Sequence, residues 1–543
     1  PIEYVIKYIL PVASLSLVGV AVLDYLIPTR INILGFSFNP LYSIPVSLII
    51  IMILYPKFLA GSKANEIEQN LHLFITYLGT VSTAISSRTK LAKLASEKKE
   101  YGAVAEEMRK VWLYSDRWKR SFSEACSLVA ARTPSPIFED FLSRLAHAAY
   151  TGEDLRAFFR KEQNVVMNDY EVVYRQGLYN VEILKELYIS LTTSLAFVLA
   201  FIVIFPMISQ SPVLTLFGVA FVLFVVAEVS VVTAINMMIP KDTIKHNLDV
   251  ETDEGRKQKI ALPFAIVASI AIGVLAYLYL PVTLVMVVGI ASLPLIYVGY
   301  LSSREETHIK RIDANFPAFI RSLGATVSAQ SGSITTAIAS LKSQDFGPLS
   351  RYVRRLHRRL ALRGEKERAW YFFSAETGSK LVHDFTTIFV ETTGMGGRAT
   401  DIGEIISENF LRMNHLRKFR WQSAGSLKGI LYGTMFGLAI AVYVTAGIVD
   451  VLQGIFSKMT IPSEVIGIMY QTQGLGLINF LIFTLIVLHA SAASILLKIS
   501  DGGIILNALY HFGIMMLIAG CVSMLIPRIM HYLFGVTGAV VHF

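Results

Sequence analysis

The sequence has very little cysteine, the residue that cross-links small extracellular folds and ligates many structural metals. Only two cysteines occur in 543 residues, Cys126 in a polar region and Cys521 in an apolar run. Two distant thiols cannot build a disulfide framework, and they lack the clustered spacing of a metal site. The sequence therefore predicts isolated, buried thiols, no metal site and no cofactor.

The sequence also lacks the motifs of the common catalytic sites. No GxxxxGK[ST] phosphate-binding loop occurs, because the glycine-rich segment from Gly394 to Arg398 has neither that spacing nor the lysine. The GxSxG and HExxH motifs are absent as well. The chain is predicted not to be an enzyme, so any ATPase that drives it must be a separate subunit.

Charged residues are scarce. They make up 16% of the chain, against 54% hydrophobic residues, and the mean hydropathy is +0.54. This composition is too apolar for an ordinary water-soluble domain and indicates a membrane protein. The formal charge is +9, but no basic groove interleaved with aromatic residues is evident, so nucleic acid is not expected as a partner.

Nine apolar runs are long enough to cross a bilayer, which takes about 20 residues per helix. They are Val5 to Leu26, Phe38 to Leu59, Leu187 to Ser209, Pro212 to Ile239, Ile260 to Leu280, Pro281 to Leu301, Gly429 to Leu452, Gly474 to Leu497 and Ile504 to Ile526. The predicted regions are two membrane helices in 1–60, a polar domain in 61–186, four membrane helices in 187–301, a polar domain in 302–428 and three membrane helices in 429–543. Four crossings separate the two domains, so both must lie on the same side of the membrane.

Lysine and arginine residues indicate which side that is. The loop at 240–259 lies on the side of the domains and carries five cations, Lys241, Lys245, Arg256, Lys257 and Lys259. The segments on the other side carry only Arg30, Lys458 and Arg528. Cation-rich short loops stay in the cytoplasm. We therefore predict a multi-pass protein of the cell membrane with both domains and the N-terminus cytoplasmic, the C-terminus outside, and lipids as its surroundings.

Both domains have helical periodicity, and together they indicate an internal repeat. A shift of 245 residues places Ile67, Asn70, Phe74, Ile75, Leu78 and Gly79 on Ile312, Asn315, Phe319, Ile320, Leu323 and Gly324. Nearly the same shift places Asp140-Phe141 on Asp384-Phe385, and Gly152 on Gly396. Shared amphipathicity explains the apolar matches but not the Asn and Gly matches. The predicted fold class is all-α, with two homologous cytoplasmic helical bundles in a parallel repeat.

Two segments of the second domain resemble a known family. They are the amphipathic helix from Asn315 to Gly324 and the glycine-containing turn from Thr392 to Arg398, which has a counterpart from Ala149 to Asp154 in the first domain. Together with the layout, they are similar to the type II secretion F-domain family of membrane platform proteins. Bacterial members have three membrane helices, whereas about nine is typical of the archaeal branch. The tract from Arg358 through Phe419 is most similar to the platforms of archaella.

That resemblance implies a platform that couples a hexameric secretion-type ATPase to pilin-like or archaellin subunits, as a homodimer, in archaea. The platform of an archaeal adhesion pilus shares this architecture and remains an alternative. A transporter with regulatory domains is a further alternative, but it would call for inverted repeats and several intramembrane charges. A membrane sensor or scaffold without a motor is also left open.

Five arginines on the second domain form the strongest electrostatic feature. Arg351, Arg354, Arg355, Arg358 and Arg359 recur at helical spacing and would lie along one side of a helix. Such a stripe is costly unless an acidic surface neutralises it, and guanidinium groups suit carboxylates. We interpret the stripe as an ATPase-docking face. A solvated helix face, or attraction to anionic lipid, would explain it as well.

The membrane runs hold two further features. Gly425, Gly429, Gly433, Gly437 and Ala441 recur every four residues, which predicts a helix-packing face within the chain or between two copies.

Glu228 and His489 are ionisable residues inside apolar runs. Such groups are costly in a bilayer and usually face the bundle interior. For Glu228, we favour a hydrogen bond that fixes helix packing over an ion pathway.

Overall fold

The architecture comes from a computed structural model that describes residues 31–33, 36–38, 43–204, 213–330, 333–362, 365–456 and 475–534. The first predicted membrane run, Val5 to Leu26, lies outside the described residues. The all-α prediction is confirmed. Two three-residue strands, β1 (Ile31–Ile33) and β2 (Phe36–Phe38), pair antiparallel.

Six α-helices cover the first predicted domain and its flanking membrane runs. They are α1 (Ser43–Val81), α2 (Arg88–Glu97), α3 (Ala103–Asp116), α4 (Phe122–Ala130), α5 (Pro136–Thr151) and α6 (Leu155–Ile204).

Three more follow in the middle of the chain: α7 (Val213–Met238), α8 (Asp253–Tyr279) and α9 (Leu284–Ala291). Helices of the second domain and the last membrane runs are α10 (Leu293–Ala329), α11 (Ile334–Leu341), α12 (Ser350–Ala361), α13 (Lys366–Thr377), α14 (Lys380–Gly394), α15 (Ala399–Phe456), α16 (Leu475–Asp501) and α17 (Ala508–Phe534).

Local sequence explains where the short helices begin and end. Helix α5 begins after Ser135, whose hydroxyl accepts a hydrogen bond from the Phe138 amide at 3.4 Å, with Pro136 at the first helical position. It ends at Gly152, which adopts a left-handed conformation with φ of 76°. Ser379 caps α14 in the same way. The two long helices α6 and α15 instead extend from the two predicted domains into the predicted membrane runs.

The chain divides into two compact units. The first comprises residues 1–78 and 85–166, and its core includes the buried rings of Phe74, Phe138 and Phe141. The second comprises residues 79–84 and 167–543 and therefore contains the second predicted domain together with most membrane helices.

Packed aromatic rings form the core of the second domain. Phe316 lies 4.7 Å from Phe410 between ring centroids, and Phe319 contacts Phe346 and Phe373 in the same way at 5.4 and 5.7 Å. All of these rings except that of Phe346 are fully buried. The helix face predicted from the spacing of Ile312, Phe316, Phe319, Ile320 and Leu323 is therefore the core face of α10.

Five helices in the described part of the chain are long and apolar enough to cross a membrane. They are Gly218–Met238, Asp253–Tyr279, Ala399–Ile448, Asn479–Asp501 and Ile505–Met530. Helices α9 and α10 meet at a 45° bend and would make a sixth span. These spans correspond to six of the nine predicted runs, and the count of nine stays a prediction.

The same succession of elements occurs in the two predicted domains. Each has a long helix, a short helix, a 3-10 turn, three helices and a second long helix. Gly102 and Gly347, which are 245 residues apart, both have positive φ and lie against Asn70 and Asn315 respectively. These correspondences support the duplication, which remains a prediction.

One of the two cysteine predictions was wrong. Cys126 is buried, and burial raises the pKa of its thiol well above the usual range. Cys521, in contrast, is exposed on α17, because its apolar run turns this position outward from the helix bundle.

Candidate functional site

The polar connection between α7 and α8 joins the second domain to the membrane helices. We call residues 240–252 the junction loop. The Ile244 amide donates to the Gly502 carbonyl at 3.2 Å, beyond the end of α16. On its other side, the Lys380 amide donates to the Ile244 carbonyl at 3.0 Å, and the His246 amide to the Gly378 carbonyl at 3.2 Å. The loop is thereby hydrogen-bonded both to the end of a membrane helix and to the second domain.

Glycine is needed where this loop meets α16. Gly502 has φ of 68°, in the left-handed region that side chains rarely adopt. A Cβ there would lie 2.8 Å from the Asp242 carbonyl oxygen and 2.7 Å from Arg420 Cζ. The backbone could not approach so closely with any other residue at this position.

Arg417 is the central cation of the junction. It lies on α15, and its side chain is 1% exposed. Its guanidinium donates to both carboxylate oxygens of Asp242, at 2.6 and 2.7 Å, and to Asp313 on α10 at 2.9 Å. A fourth bond reaches the Thr243 carbonyl at 2.9 Å. One buried cation on α15 therefore connects the loop between two membrane helices, α7 and α8, to α10, the other long helix of the second domain.

The two carboxyl groups respond differently to the same arginine. Burial raises the pKa of Asp313 to about 6, and the nearby Arg417 offsets this effect only partly. Burial acts on Asp242 as well, but the two-pronged contact with Arg417 outweighs it and holds its pKa below the usual value. Asp242 is therefore the ionised partner, while Asp313 can take up a proton near pH 6.

Arg420, one turn further along α15, binds backbone rather than carboxylates. Its guanidinium donates to the carbonyls of Ile499 and Ser500 at 2.8 Å, and to those of Pro240 and Asp242 at 2.9 Å. Carbonyls at a helix C-terminus lack partners within the helix and attract cations. Arg420 thus fixes the end of α16 against the start of the junction loop.

Two neighbouring glutamates on α10 complete the junction. Glu305 is 2.8 Å from Lys245 of the junction loop and accepts from Gln258 on α8 at 2.8 Å. Glu306 faces the turn between α16 and α17, where it accepts from the Ile504 amide at 2.7 Å and lies 3.2 Å from Lys498. Glu305 therefore connects α10 to the junction loop and α8, and Glu306 connects it to α16 and the turn before α17.

The predicted arginine stripe lies on α12, and the structure divides it in two. Arg355 and Arg359 are half-buried and pair with Glu376 on α13, and Arg355 also lies 3.7 Å from Asp253. The other three arginines are exposed. Arg351 donates to His308 at 3.0 Å and stacks on the Tyr352 ring.

Arg354 and Arg358 make no ion pair within the described part of the chain. For Arg355 and Arg359, in contrast, this chain itself supplies the acidic partners, Glu376 and Asp253.

The predicted glycine stripe is not a packing face between described helices. Gly425, Gly429, Gly433 and Gly437 are exposed, and a Cβ added to any of them would have no neighbour within 4 Å. Ala441 at the end of the stripe is half-buried.

Other glycines do allow close contact between described helices, including one each on α9, α10 and α17 in or near the membrane runs. A Cβ on Gly299 would overlap the Tyr510 backbone, one on Gly520 would lie 2.9 Å from Met286 Cα, and one on Gly289 would lie 3.1 Å from the Met516 carbonyl oxygen. Sequence reasoning missed these sites, because their spacing along the chain is irregular.

Glu228 and His489 are brought together inside the helix bundle. Glu228 of α7 is 2.7 Å from His489 Nδ1 of α16, and both side chains are buried. The Tyr188 hydroxyl of α6 lies 3.1 Å from Glu228 and 3.3 Å from His489. The three side chains link three helices through hydrogen bonds, the arrangement we favoured for Glu228.

The junction itself was not predicted. From the sequence, the cations of the loop were used only to assign the loop to one side of the membrane. Asp242 and Arg417 are 175 residues apart, so their contact has no local sequence signal. One signal in the sequence could have indicated the junction: Asn414, Arg417 and Arg420 recur every three residues just before an apolar run. If that helix face is buried, its polar groups need hydrogen-bond partners. The sequence does not say which partners those are.

Two curated proteins are similar to this chain over nearly its whole length. One is flagella accessory protein J of Methanocaldococcus jannaschii, with 32% identity over 99% of this chain and 97% of the relative. The other is flagella accessory protein J of Methanococcus voltae, with 31% identity and the same coverage. The chain belongs to the flagella accessory protein J family.

A second comparison agrees with the first. Residues 74–203 match the family described as type II secretion system, protein F, so the resemblance inferred from the sequence is confirmed. No solved structure matches the chain. Family membership and the long apolar helices together identify a multi-pass membrane protein.

Proposed function

We propose that this chain is the membrane platform of an archaellum and couples a cytoplasmic secretion-type ATPase to the assembly of pilin-like subunits. The observation that carries the proposal is the near full-length similarity to two flagella accessory proteins, together with the match to a secretion-system family. The platform itself does no chemistry in this proposal. Its task is mechanical, so its function depends on how firmly a cytoplasmic element is joined to the membrane helices.

The junction supplies such a connection. Asp242 follows α7, Asp313 lies on α10 and Arg417 on α15, so a displacement of the second domain would act on all three through one guanidinium. Arg420 extends this path to the end of α16. Buried charges resist separation, because any uncompensated charge would remain in a low-dielectric environment. We infer that the second domain and these membrane helices move together.

Docking of the ATPase is proposed for the exposed part of α12. Arg351, Arg354 and Arg358 remain accessible, whereas Arg355 and Arg359 already have a carboxylate partner in Glu376. An acidic partner could bind Arg351, Arg354 and Arg358 without breaking an ion pair that already exists within the chain. Charge complementarity of this kind sets orientation and association rate.

The test is capture of the cognate secretion-type ATPase by the full chain in nanodiscs. We expect salt-sensitive binding that weakens at least tenfold when Arg351, Arg354 and Arg358 are changed to glutamate. The matched control reverses the same number of exposed charges on the first domain, at Lys90, Lys93 and Lys99. Equal loss in both variants would reject the docking face, and no capture of the ATPase by the unmodified chain would reject the coupling proposal.

A further inference from the structure

An exposed basic turn with a tryptophan joins α3 to α4 in the first unit. We call Arg117, Trp118, Lys119 and Arg120 the basic tip. All four residues are exposed, and Trp118 is 68% accessible. A tryptophan this accessible is unusual, because the indole ring carries a large apolar surface. Arg120 is 2.7 Å from Glu124, so Arg117 and Lys119 are the cations of the tip that have no ion pair within the described part of the chain.

The tip has a defined conformation. The amides of Arg117 and Trp118 donate to the Leu113 carbonyl at 3.0 and 3.2 Å, which closes the end of α3. The Trp118 ring stands edge-on to Tyr114, with centroids 5.1 Å apart. Lys119 has φ of 54°, a conformation that usually selects glycine or asparagine. The backbone therefore presents Trp118 and its basic neighbours outward.

Contacts between α1 and α3 show where the tip points. Glu66 of α1 accepts from the Ala103 amide at 3.0 Å, and Lys63 lies 2.9 Å from Glu107. Residue numbers rise along α3 as they fall along α1, so the two helices run antiparallel there. Helix α3 then continues to Asp116, toward the end of α1 that contains the second predicted membrane run.

Helix geometry sets the level that the tip reaches. Nine residues separate Glu107 from Asp116, which is about 13 Å of helix at 1.5 Å per residue. The same rise along α1 from Lys63 leads to about position 54, within the predicted run from Phe38 to Leu59. An inclination between the helices would shorten this distance by a few Å. By this geometry the tip would reach the end of the predicted membrane run, where a bilayer has its interface.

We propose that the basic tip is a membrane-surface contact, with Trp118 in the interface and the three cations on anionic headgroup phosphates. Tryptophan is enriched at that depth, and Arg and Lys side chains extend to the headgroups. Each cation near an anionic surface adds to the attraction. The contact would hold the first cytoplasmic domain against the bilayer. It rests on the predicted second membrane run and not on ATPase coupling.

The experiment measures Trp118 fluorescence in the full chain, reconstituted in anionic nanodiscs whose acyl chains are brominated near the headgroup. The contribution of Trp118 is obtained by subtracting the fluorescence of the Trp118→Phe variant from that of the unmodified chain. We expect bromine to quench this difference signal at least twofold relative to unbrominated lipid. The matched control is Trp112→Phe, on the same helix but half-buried and farther from the tip, and its difference signal should be quenched less.

Charge reversal separates the headgroup contact from simple proximity. Changing Arg117, Lys119 and Arg120 to glutamate should abolish most of the Trp118 quenching in anionic nanodiscs, whereas reversal of Lys90, Lys93 and Lys99 should not. Thermal midpoints of all variants establish that the fold is retained. Trp118 fluorescence that is unaffected by bromine but quenched by aqueous acrylamide would overturn the proposal, and would leave the tip as a surface for a protein partner.

Discussion

Arg417 is the single side chain on which the charge balance of the junction depends. It is fully buried between two carboxyl groups, and its removal would leave both without their ion-pair partner. Breaking a buried ion pair in this way costs about 3–5 kcal/mol. We therefore expect Arg417→Met to lower the thermal midpoint of the full chain in detergent by several degrees.

The neighbouring exposed cation provides the control. Lys418→Met removes the same charge at an exposed position and should change stability by less than about 0.5 kcal/mol. Equal midpoints for the Arg417 and Lys418 variants would show that the junction contributes nothing to the stability of the chain.

The two carboxyl partners of Arg417 should titrate with opposite effects on stability. Asp313 has a pKa of about 6 in the folded chain, above the value near 3.9 of an unfolded aspartate. Between these values the folded state holds more protons, so this group's contribution to the free energy of unfolding falls as the pH rises. Asp313→Asn should therefore be more stable, relative to the unmodified chain, at pH 7 than at pH 4.5.

Asp242 should behave in the opposite way. Its pKa is lowered in the folded chain, so its stabilisation is present at neutral pH and is lost only at lower pH, as the carboxylate is protonated. Asp242→Asn should thus be destabilised at pH 7. Between pH 4.5 and 7 the effect of Asp242→Asn should therefore change little, whereas that of Asp313→Asn should change clearly. Thermal midpoints of both variants at these two values test the pair, and matching pH profiles would contradict the assignment of Asp242 as the ionised partner.

At the scale of helices, apolar spacing predicted more than small-residue spacing did. The face of α10 that contains Phe316 and Phe319 is buried as its three- and four-residue spacing indicates, because burial of apolar surface drives helix packing. Spacing of glycines reports only where another backbone could approach. Whether one does depends on the placement of helices far apart in the sequence, which explains why Gly299 was missed.

Two glycine substitutions test this difference. Gly299→Leu should destabilise the chain strongly, since even a Cβ would overlap the Tyr510 backbone, and overpacking typically costs about 1–3 kcal/mol or more. Gly433→Leu should leave the thermal midpoint within about 2 °C, because its Cβ has open space. A large loss of stability for Gly433→Leu in monodisperse, monomeric chain would show that the stripe is packed within the subunit after all.

For the molecule as a whole, composition and hydrophobic runs were sufficient to predict a helical, multi-pass membrane protein, and the family followed from its layout and repeat together with the two motif segments. The sequence could not show that Glu376 neutralises part of the arginine stripe, since that contact depends on how α12 packs against α13. It could not show the junction either. A loop of thirteen residues has no periodicity to indicate burial, and its contacts come from α10, α15 and the segments around Gly378 and Gly502.

If the junction joins the second domain to the membrane helices, the loop should be as protected as the helices it connects. The amides of Ile244 and His246 are both hydrogen-bonded to other segments, at 3.2 Å, so they can exchange with solvent only when those contacts open. Hydrogen exchange of the full chain in nanodiscs should therefore show slow exchange at 244 and 246.

The same amides should become fast in Arg417→Met, while the core of α14 remains slow, because the loop would lose its main anchor without unfolding the domain. Lys418→Met should leave the pattern unchanged. Fast exchange of the loop in the unmodified chain would mean that it is an ordinary mobile connection, and force could not then pass from the second domain to α7 and α16 through Asp242 and Arg417.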